Sequence, residues 1–382
     1  MKLFKRFLVA PAALGLLAPM PATANELNLA EVSGYSSSEE VQSISEFNST
    51  QLAVTNSRVD GLETRINNYE AGSFSETTTA SFSADMYLGA VDGGTSTSDD
   101  AVNGTYSFQI DLNTSFTGED SFDVSIDAGN SGAAGSAEFD GNSGGDGLTV
   151  DGIAYTFPIG EKVTAFIGDS VDGSSLYSTA CVYGGPSNTL DDCGNVSSAM
   201  DGGAGTAAGA SFEIGNGFTG AIGYTGAGST SDGLFTKEGN DTFGGQLSYA
   251  ADSYGASLTY ANVEGTDDTT YWGLNGYWTP SDSGSAPSIS VGYEFGNPTT
   301  AVDTTSYFIG LQWDEVGPGT FGTALGTKTP TSDGGSELLM YEAFYSYPIN
   351  DGMTITPLVY IKDFATGTDD ETGVMVKTSF SF

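Results

Sequence analysis

The stretch ETGVMVKTSFSF (371–382) decides how this chain is read. Val374, Val376, Phe380 and Phe382 share one parity; Met375, Lys377, Ser379 and Ser381 share the other. A period of two belongs to a strand with two unlike faces. Terminal residues are usually the loosest part of a domain, so an alternating strand that finishes on an aromatic points to closure of a larger sheet.

The same period runs through the chain from Phe74 onward. In TYSFQIDLNTSF (105–116), Tyr106, Phe108, Ile110, Leu112 and Phe116 fall on one face, with Ser107, Gln109, Asp111 and Asn113 on the other. SFDVSIDA (121–128) sets Phe122, Val124 and Ile126 against Asp123, Ser125 and Asp127. SFEIGNGFTGAIGY (211–224), LSYAADSYGASLTY (247–260) and YSYPINDGMTITPLVYIKDF (345–364) read as hairpins. Such runs predict about sixteen strands, most of roughly 8–12 residues, the length a tilted strand needs to cross a bilayer. The expected connections alternate between short turns (TGED, PIGE, GNG, ADS, INDG) and long Gly/Asp/Ser-rich links near 91–103, 129–147, 169–205 and 226–241. Aromatics flank the short turns, as in a membrane-interface girdle. The expected fold is all-β, a transmembrane antiparallel barrel over 74–382, with Phe380 and Phe382 on a terminal strand that pairs with the first. A soluble sandwich alternates too, but it does not call for an even strand count, alternating loop lengths or a terminal aromatic strand. A calcium roll needs its nonapeptide repeated, and GGDGLTVDG (144–152) occurs once.

The N-terminal residues differ. Lys2, Lys5 and Arg6 precede the apolar run FLVAPAALGLLAP, and Ala22-Thr23-Ala24 supplies small residues for cleavage, so 1–24 reads as a signal peptide. In QLAVTNSRVDGLETRINNYE (51–70), Leu52, Val59, Leu62, Ile66 and Tyr69 form a short heptad seam. Residues 25–73 are thus expected to form a periplasmic linker with a short coiled-coil helix. The seam either joins subunits, as in a trimer, or is one amphipathic helix lying on the base of the domain.

Charge narrows the function. The chain holds 10 basic and 49 acidic residues and no histidine. Removing the signal leaves 7 − 49 = −42. Nucleic acid, whose phosphates need Lys and Arg, is not an expected partner. The missing histidine removes Ser-His-Asp and HExxH chemistry, and no enzyme is expected. No cofactor or metal site is expected either. The 22 Phe and 19 Tyr separate the chain from disordered, aromatic-poor sequences.

With the aromatic and aliphatic parity outward, Asp85, Asp111, Asp123, Asp127, Glu213, Glu294 and Glu342 fall on the lumen side as pore-lining candidates. The inward basic residues are Lys362 and Lys377, with Lys162 at a turn. Acidic rings with little opposing charge favour cations; the alternative is that acidity only solvates the loops. The longest link, 169–205, is the third outer loop by position. It carries Asp169, Asp172, Asp191, Asp192 and Asp201 as constriction candidates, together with the only cysteines, Cys181 and Cys193. In an exported protein these are expected to form a disulfide.

Particular stretches carry a family likeness. TFPIGEKVTAFIGD (156–169), GASFEIGNGFTGAIGYTG (209–226), YEAFYSYPINDGMTITPLVY (341–360), KTSFSF (377–382) and RVDGLETRINNYEAGSFSETTTASF (58–82) resemble cyanobacterial outer-membrane porins. These are relatives of carbohydrate-selective porins and are often labelled iron-uptake porins. The resemblance implies an outer-membrane homotrimer, in contact with lipid, that takes up small hydrophilic solutes passively, and it fixes no substrate; the expectation that inorganic cations, iron included, are favoured comes from the acidic lumen. Such porins usually carry a surface-layer-homology domain before the coiled coil, and here only LNLAEVSGYSSSEEVQSISEFNS stands in that place. The competing expectations are a carbohydrate-selective pore, with Tyr271, Tyr277 and Tyr360 facing the lumen, and a structural or adhesive surface protein without a pore.

Overall fold

The computed structural model describes residues 77–382, apart from 96–100, 196–202, 237–238, 282–285 and 366. The expected signal peptide and coiled coil lie outside the described residues.

Sixteen antiparallel strands close into one barrel: β1 (Thr78–Asp92), β2 (Asn103–Thr114), β3 (Ser121–Gly129), β4 (Gly145–Ile159), β5 (Val163–Val171), β6 (Gly205–Gly215), β7 (Phe218–Gly226), β8 (Asp241–Ala250), β9 (Tyr254–Val263), β10 (Thr269–Trp278), β11 (Ser288–Pro298), β12 (Thr304–Val316), β13 (Gly319–Thr327), β15 (Leu339–Asn350), β16 (Met353–Lys362) and β17 (Glu371–Ser381). The two-residue strand β14 (Thr331–Ser332) lies outside this ring and pairs with the start of β12. Closure comes from β1, which pairs with β2 on one side and β17 on the other. No edge is left with unpaired backbone groups, the condition for a sheet in a medium without water.

Alternation sets the two faces. Met86 and Leu88 on β1, Trp272, Leu274 and Trp278 on β10, Val291 and Tyr293 on β11, and Val359 and Ile361 on β16 point outward and are exposed. Their sequence neighbours Tyr87, Asn275, Ser290 and Tyr360 are buried inside. Large apolar side chains therefore form an outward band around the barrel, a surface soluble proteins rarely leave bare.

Short links and both ends of the barrel segment share one rim. The other rim carries loop 1 (93–102), loop 2 (130–144), loop 3 (172–204), loop 4 (227–240), loop 5 (264–268), loop 6 (299–303), loop 7 (328–338) and loop 8 (363–370). The expected alternation of lengths holds at both ends of the strand order, where loops 7 and 8 alternate with the two-residue links 317–318 and 351–352, and fails only midway. Loops 5 and 6 are short, and the opposite-rim link 279–287 is longer than they are. Asp267 explains the first: its carboxylate accepts hydrogen bonds from Thr300 N and Ala301 N and ties the two tight loops together. Pro280 and Pro287 bracket the second, and neither can donate to a sheet ladder.

The interior differs from the simple parity reading. Phe308, Met340, Phe344, Leu358, Tyr360 and Met375 point inward from β12 and β15–β17. They pack with Phe139 of loop 2 and Tyr183, Leu190 and Cys193 of loop 3 in one buried cluster. These strands are apolar on both faces because the inner face is covered by protein rather than by water.

Candidate functional site

Loop 3 is seated inside the barrel by a succession of wall side chains. Thr225 Oγ1 on β7 accepts from Gly173 N (2.6 Å), and Gln246 Oε1 on β8 accepts from Ser178 N (2.6 Å). Ser257 Oγ on β9 accepts from Ala180 N (3.3 Å). Ser290 Oγ on β11 accepts from Val182 N (3.0 Å) and Tyr183 N (3.1 Å). Gln312 Oε1 on β12 accepts from Gly184 N (2.8 Å), and Tyr183 Oη donates to Glu342 Oε1 on β15 (2.6 Å). On the way back, Asn195 Nδ2 donates to Asn275 Oδ1, and Asn275 Nδ2 donates to Cys193 O (2.9 Å). An irregular segment must find partners for its amides; here the inward polar residues of β7–β15 supply them. A Cβ at Gly292 would collide with the Cys193 carbonyl, so glycine lets the loop lie directly on the wall.

A disulfide joins Cys181 to Cys193 across a sequence separation of 12. Of the acidic residues on this link, Asp169 stays at the end of β5 and accepts from Thr206 Oγ1 (2.7 Å). Asp172 begins the loop, Asp191 and Asp192 lie in its second turn, and Asp201 lies outside the described residues. Burial, then the charges of Asp192 and of Asp140 on loop 2, pushes the Asp191 carboxyl up to about 7. Asp191 nonetheless keeps an exposed edge and is the acidic one among the exposed loop residues; Ser175, Ser178, Thr179, Gly184 and Asn188 are uncharged.

Loop 2 also enters the barrel. Its short 3-10 helix (Ala134–Phe139) lies against β1, where Gly89 and Gly135 meet so closely that a Cβ on either would strike the other's carbonyl. Glu138 forms an ion pair with Lys362 on β16. Phe139 stacks on Tyr87 (5.5 Å between centroids), and Lys377 Nζ lies over the Phe139 ring (5.6 Å). Asn188 N donates to Glu138 O (2.9 Å), so loops 2 and 3 touch.

The acidic residues singled out on the strands divide into three groups by exposure. Asp85, Asp111, Asp123 and Asp127 lie on the inner face of β1–β3 and remain partly open. Each has a short polar neighbour: Tyr87 Oη donates to Asp85 (3.4 Å), Gln109 Nε2 and Ser125 Oγ to Asp111 (2.8 and 2.7 Å), Ser121 Oγ to Asp123 (2.5 Å) and Thr149 Oγ1 to Asp127 (2.7 Å). Glu213 is exposed near the short-turn rim. Glu294 and Glu342 face the same side, but only 2% and 3% of their surfaces are exposed; Glu342 belongs to the seat of loop 3 rather than to an open wall. Asp151 went unnoticed in the sequence because a bulge in β4 breaks the alternation there. Its neighbouring charges are Asp127 and Asp111, so it extends the acidic patch onto β4. At the seam, Phe380 pairs with Ala84 and Met353, and Phe382 stacks on Phe82. Among the described residues, no three metal-ligating side chains converge on one point.

A closed sixteen-stranded barrel with one long loop folded inside has the architecture of the porins. The fold is similar to OprB of Pseudomonas putida, with a TM-score of 0.58 and 11% identity over 80% of this chain and 94% of that one. It is also similar to the anion-selective porin of Comamonas acidovorans (TM-score 0.56, 14% identity, 80% and 99% covered). A third likeness is to OmpT, an outer membrane protein of Vibrio cholerae, in a form lacking one loop (TM-score 0.54, 11% identity, 80% and 100% covered). No protein-family model and no curated protein matches the sequence.

Proposed function

We propose that this protein is an outer-membrane pore through which small hydrophilic solutes diffuse passively, with inorganic cations, iron among them, favoured. The porin fold and the outward apolar band support the membrane setting. The observation that carries the selectivity is the wall of Asp111, Asp123, Asp127 and Asp151 on β2–β4. Strands β1–β6 contain no lysine or arginine to oppose it. A unit charge about 4 Å from an ion in water is worth about 1 kcal/mol, and several carboxylates at somewhat longer range add a field that salt only partly screens. The exported homotrimer implied by the family resemblance belongs to the same reading.

Planar-bilayer reversal potentials in a salt gradient test it. The native protein should be cation-selective, and Asp111→Asn, Asp123→Asn and Asp127→Asn together should reduce that selectivity. An anion-selective native pore would overturn the cation preference. A second reading, a barrel plugged by its own loops, has a specific observation in its favour: loops 2 and 3 share a buried apolar cluster with the inner wall. It predicts correctly folded protein with no conductance.

A further inference from the structure

We propose that the short helix of loop 2 sets the charge balance of the lumen by neutralising one of its two inward lysines, Lys362, with Glu138; this rests on the channel reading above. On the wall itself Lys362 stands opposite Glu371 of β17, with its ammonium 5.5 Å from the Tyr360 ring, but the ion pair that it forms is with loop 2. Strands β16 and β17 carry Lys362 and Lys377 on the inner face, and β17 adjoins β1, so they stand beside the acidic strands within the ring. Two consecutive residues of the loop 2 helix meet them. Glu138 pairs with Lys362, with the Glu138 and Lys362 side chains 6% and 13% exposed. Phe139 presents its ring to Lys377.

The helix can do this because it is fixed on three sides. The Gly89–Gly135 contact sets its distance from β1. Asn103 Oδ1 accepts from Gly135 N (3.1 Å), and Asn188 N of loop 3 holds the Glu138 carbonyl. The other carboxylate oxygen of Glu138, Oε2, is buried with no hydrogen-bond partner among the described residues. That is a costly position for a carboxylate, and the charge that compensates it is Lys362. The pair is neutral as a unit, so of the two inward lysines only Lys377, whose charge the Phe139 ring leaves in place, opposes Asp111, Asp123, Asp127 and Asp151. Glu138 is thus a positioning residue that acts on selectivity through Lys362.

The test is the ratio of cation to anion permeability, measured by reversal potential in the full-length protein. Glu138→Gln keeps the shape and hydrogen-bonding capacity but frees one positive charge. A unit charge about 10 Å from the path in water changes the local concentration of each ion about twofold, in opposite senses, so the ratio should fall about fourfold. Lys362→Met leaves Glu138 uncompensated, and the ratio should rise by a similar factor. The double variant should return near the native value. If Glu138→Gln does not assemble, as judged by heat-modifiable migration, Lys362→Met alone decides. A ratio unchanged in whichever single variants assemble overturns the proposal. The shift is read relative to the native protein, so it is expected even if the native pore prefers anions, an outcome that would sink only the cation reading.

Discussion

Phe82 and Phe382 stack with ring centroids 5.9 Å apart and planes 8° apart, while Phe82 N donates to Phe382 O and Phe382 N donates to Phe82 O, each at 3.0 Å. The two residues lie at opposite ends of the barrel segment and form the seam where the last strand meets the first. Backbone pairing closes the ladder there, and the rings add an outward aromatic contact on the short-turn rim.

Phe382→Ala should keep the backbone pairing and lose only the ring contact, about 0.5–1.5 kcal/mol beyond the buried area. Deleting Phe382 should cost more, because two hydrogen bonds of about 1 kcal/mol each go with it. Heat-modifiable migration, read as the temperature at which half the barrel unfolds in detergent, orders the two. Equal midpoints for substitution and deletion would show that the seam draws nothing from its last backbone pair.

The Cys181–Cys193 bridge closes a short segment of loop 3, and in the chain-entropy model such a loop is stabilised by ~3 kcal/mol. Replacing both cysteines with serine should leave the barrel assembled, since sixteen strands hold it without the bridge. Loop 3 should become more sensitive to protease and the channel current noisier. The comparison is limited proteolysis of reduced and oxidised protein. Identical cleavage rates would mean that the wall hydrogen bonds alone hold the loop.

Strand positions, face parity and closure were legible because side chains alternate with a period of two, and a bilayer-spanning wall repeats that signal sixteen times. The same rule hid the internal packing. In LLMYEAFY (338–345), Met340 and Phe344 are as apolar as the outward Tyr341, so hydrophobicity could not distinguish a lipid face from one covered by loop 3. The loop 2 helix AGSAEF (134–139) has no periodicity and sits among small residues, so nothing marked Glu138 as the partner of Lys362, 224 residues away. Asp151 was lost to a bulge, where the alternation slips by one. The scarcity of basic residues to oppose the carboxylates, by contrast, was plain from the sequence, because it is a matter of residue type and not of contact.

Tyr183 and Glu342 fix loop 3 to β15 through a 2.6 Å hydrogen bond in a buried setting. Tyr183→Phe should strip the carboxylate of that donor at a cost of about 1–3 kcal/mol and loosen the loop's seat. Glu342→Gln should be milder, since the amide oxygen still accepts from Tyr183 and no charge has to be buried. Protease sensitivity of loop 3 should therefore rank Tyr183→Phe above Glu342→Gln above native. The reverse order for the two variants would show that the charge of Glu342, rather than its hydrogen bond, is what the loop depends on.

The turn between β2 and β3 gives the pH dependence. Asp120 is 7% exposed, and that burial alone would raise its pKa. Opposing it, Oδ1 accepts from Phe116 N (3.0 Å), Thr117 N (2.7 Å), Thr117 Oγ1 (2.8 Å) and Ser115 Oγ (2.8 Å), and Oδ2 accepts from Tyr155 Oη (2.8 Å). These donors win and hold the carboxyl well below its ordinary value of 3.8. A carboxylate whose folded-state pKa is depressed contributes stability that is fully present above the ordinary value, because the unfolded chain there gains no proton that the folded one lacks. The contribution is lost as pH falls through 3.8 toward the folded value, where the unfolded chain takes up a proton first. Asp120→Asn should therefore lower the unfolding midpoint clearly at pH 7, and the gap to native protein should narrow as the pH is taken below 3.8. Unfolding midpoints for both proteins across that range make the comparison. A gap that stays constant down to the lowest pH would mean that the turn is held by its neutral hydrogen bonds and not by the charge of Asp120.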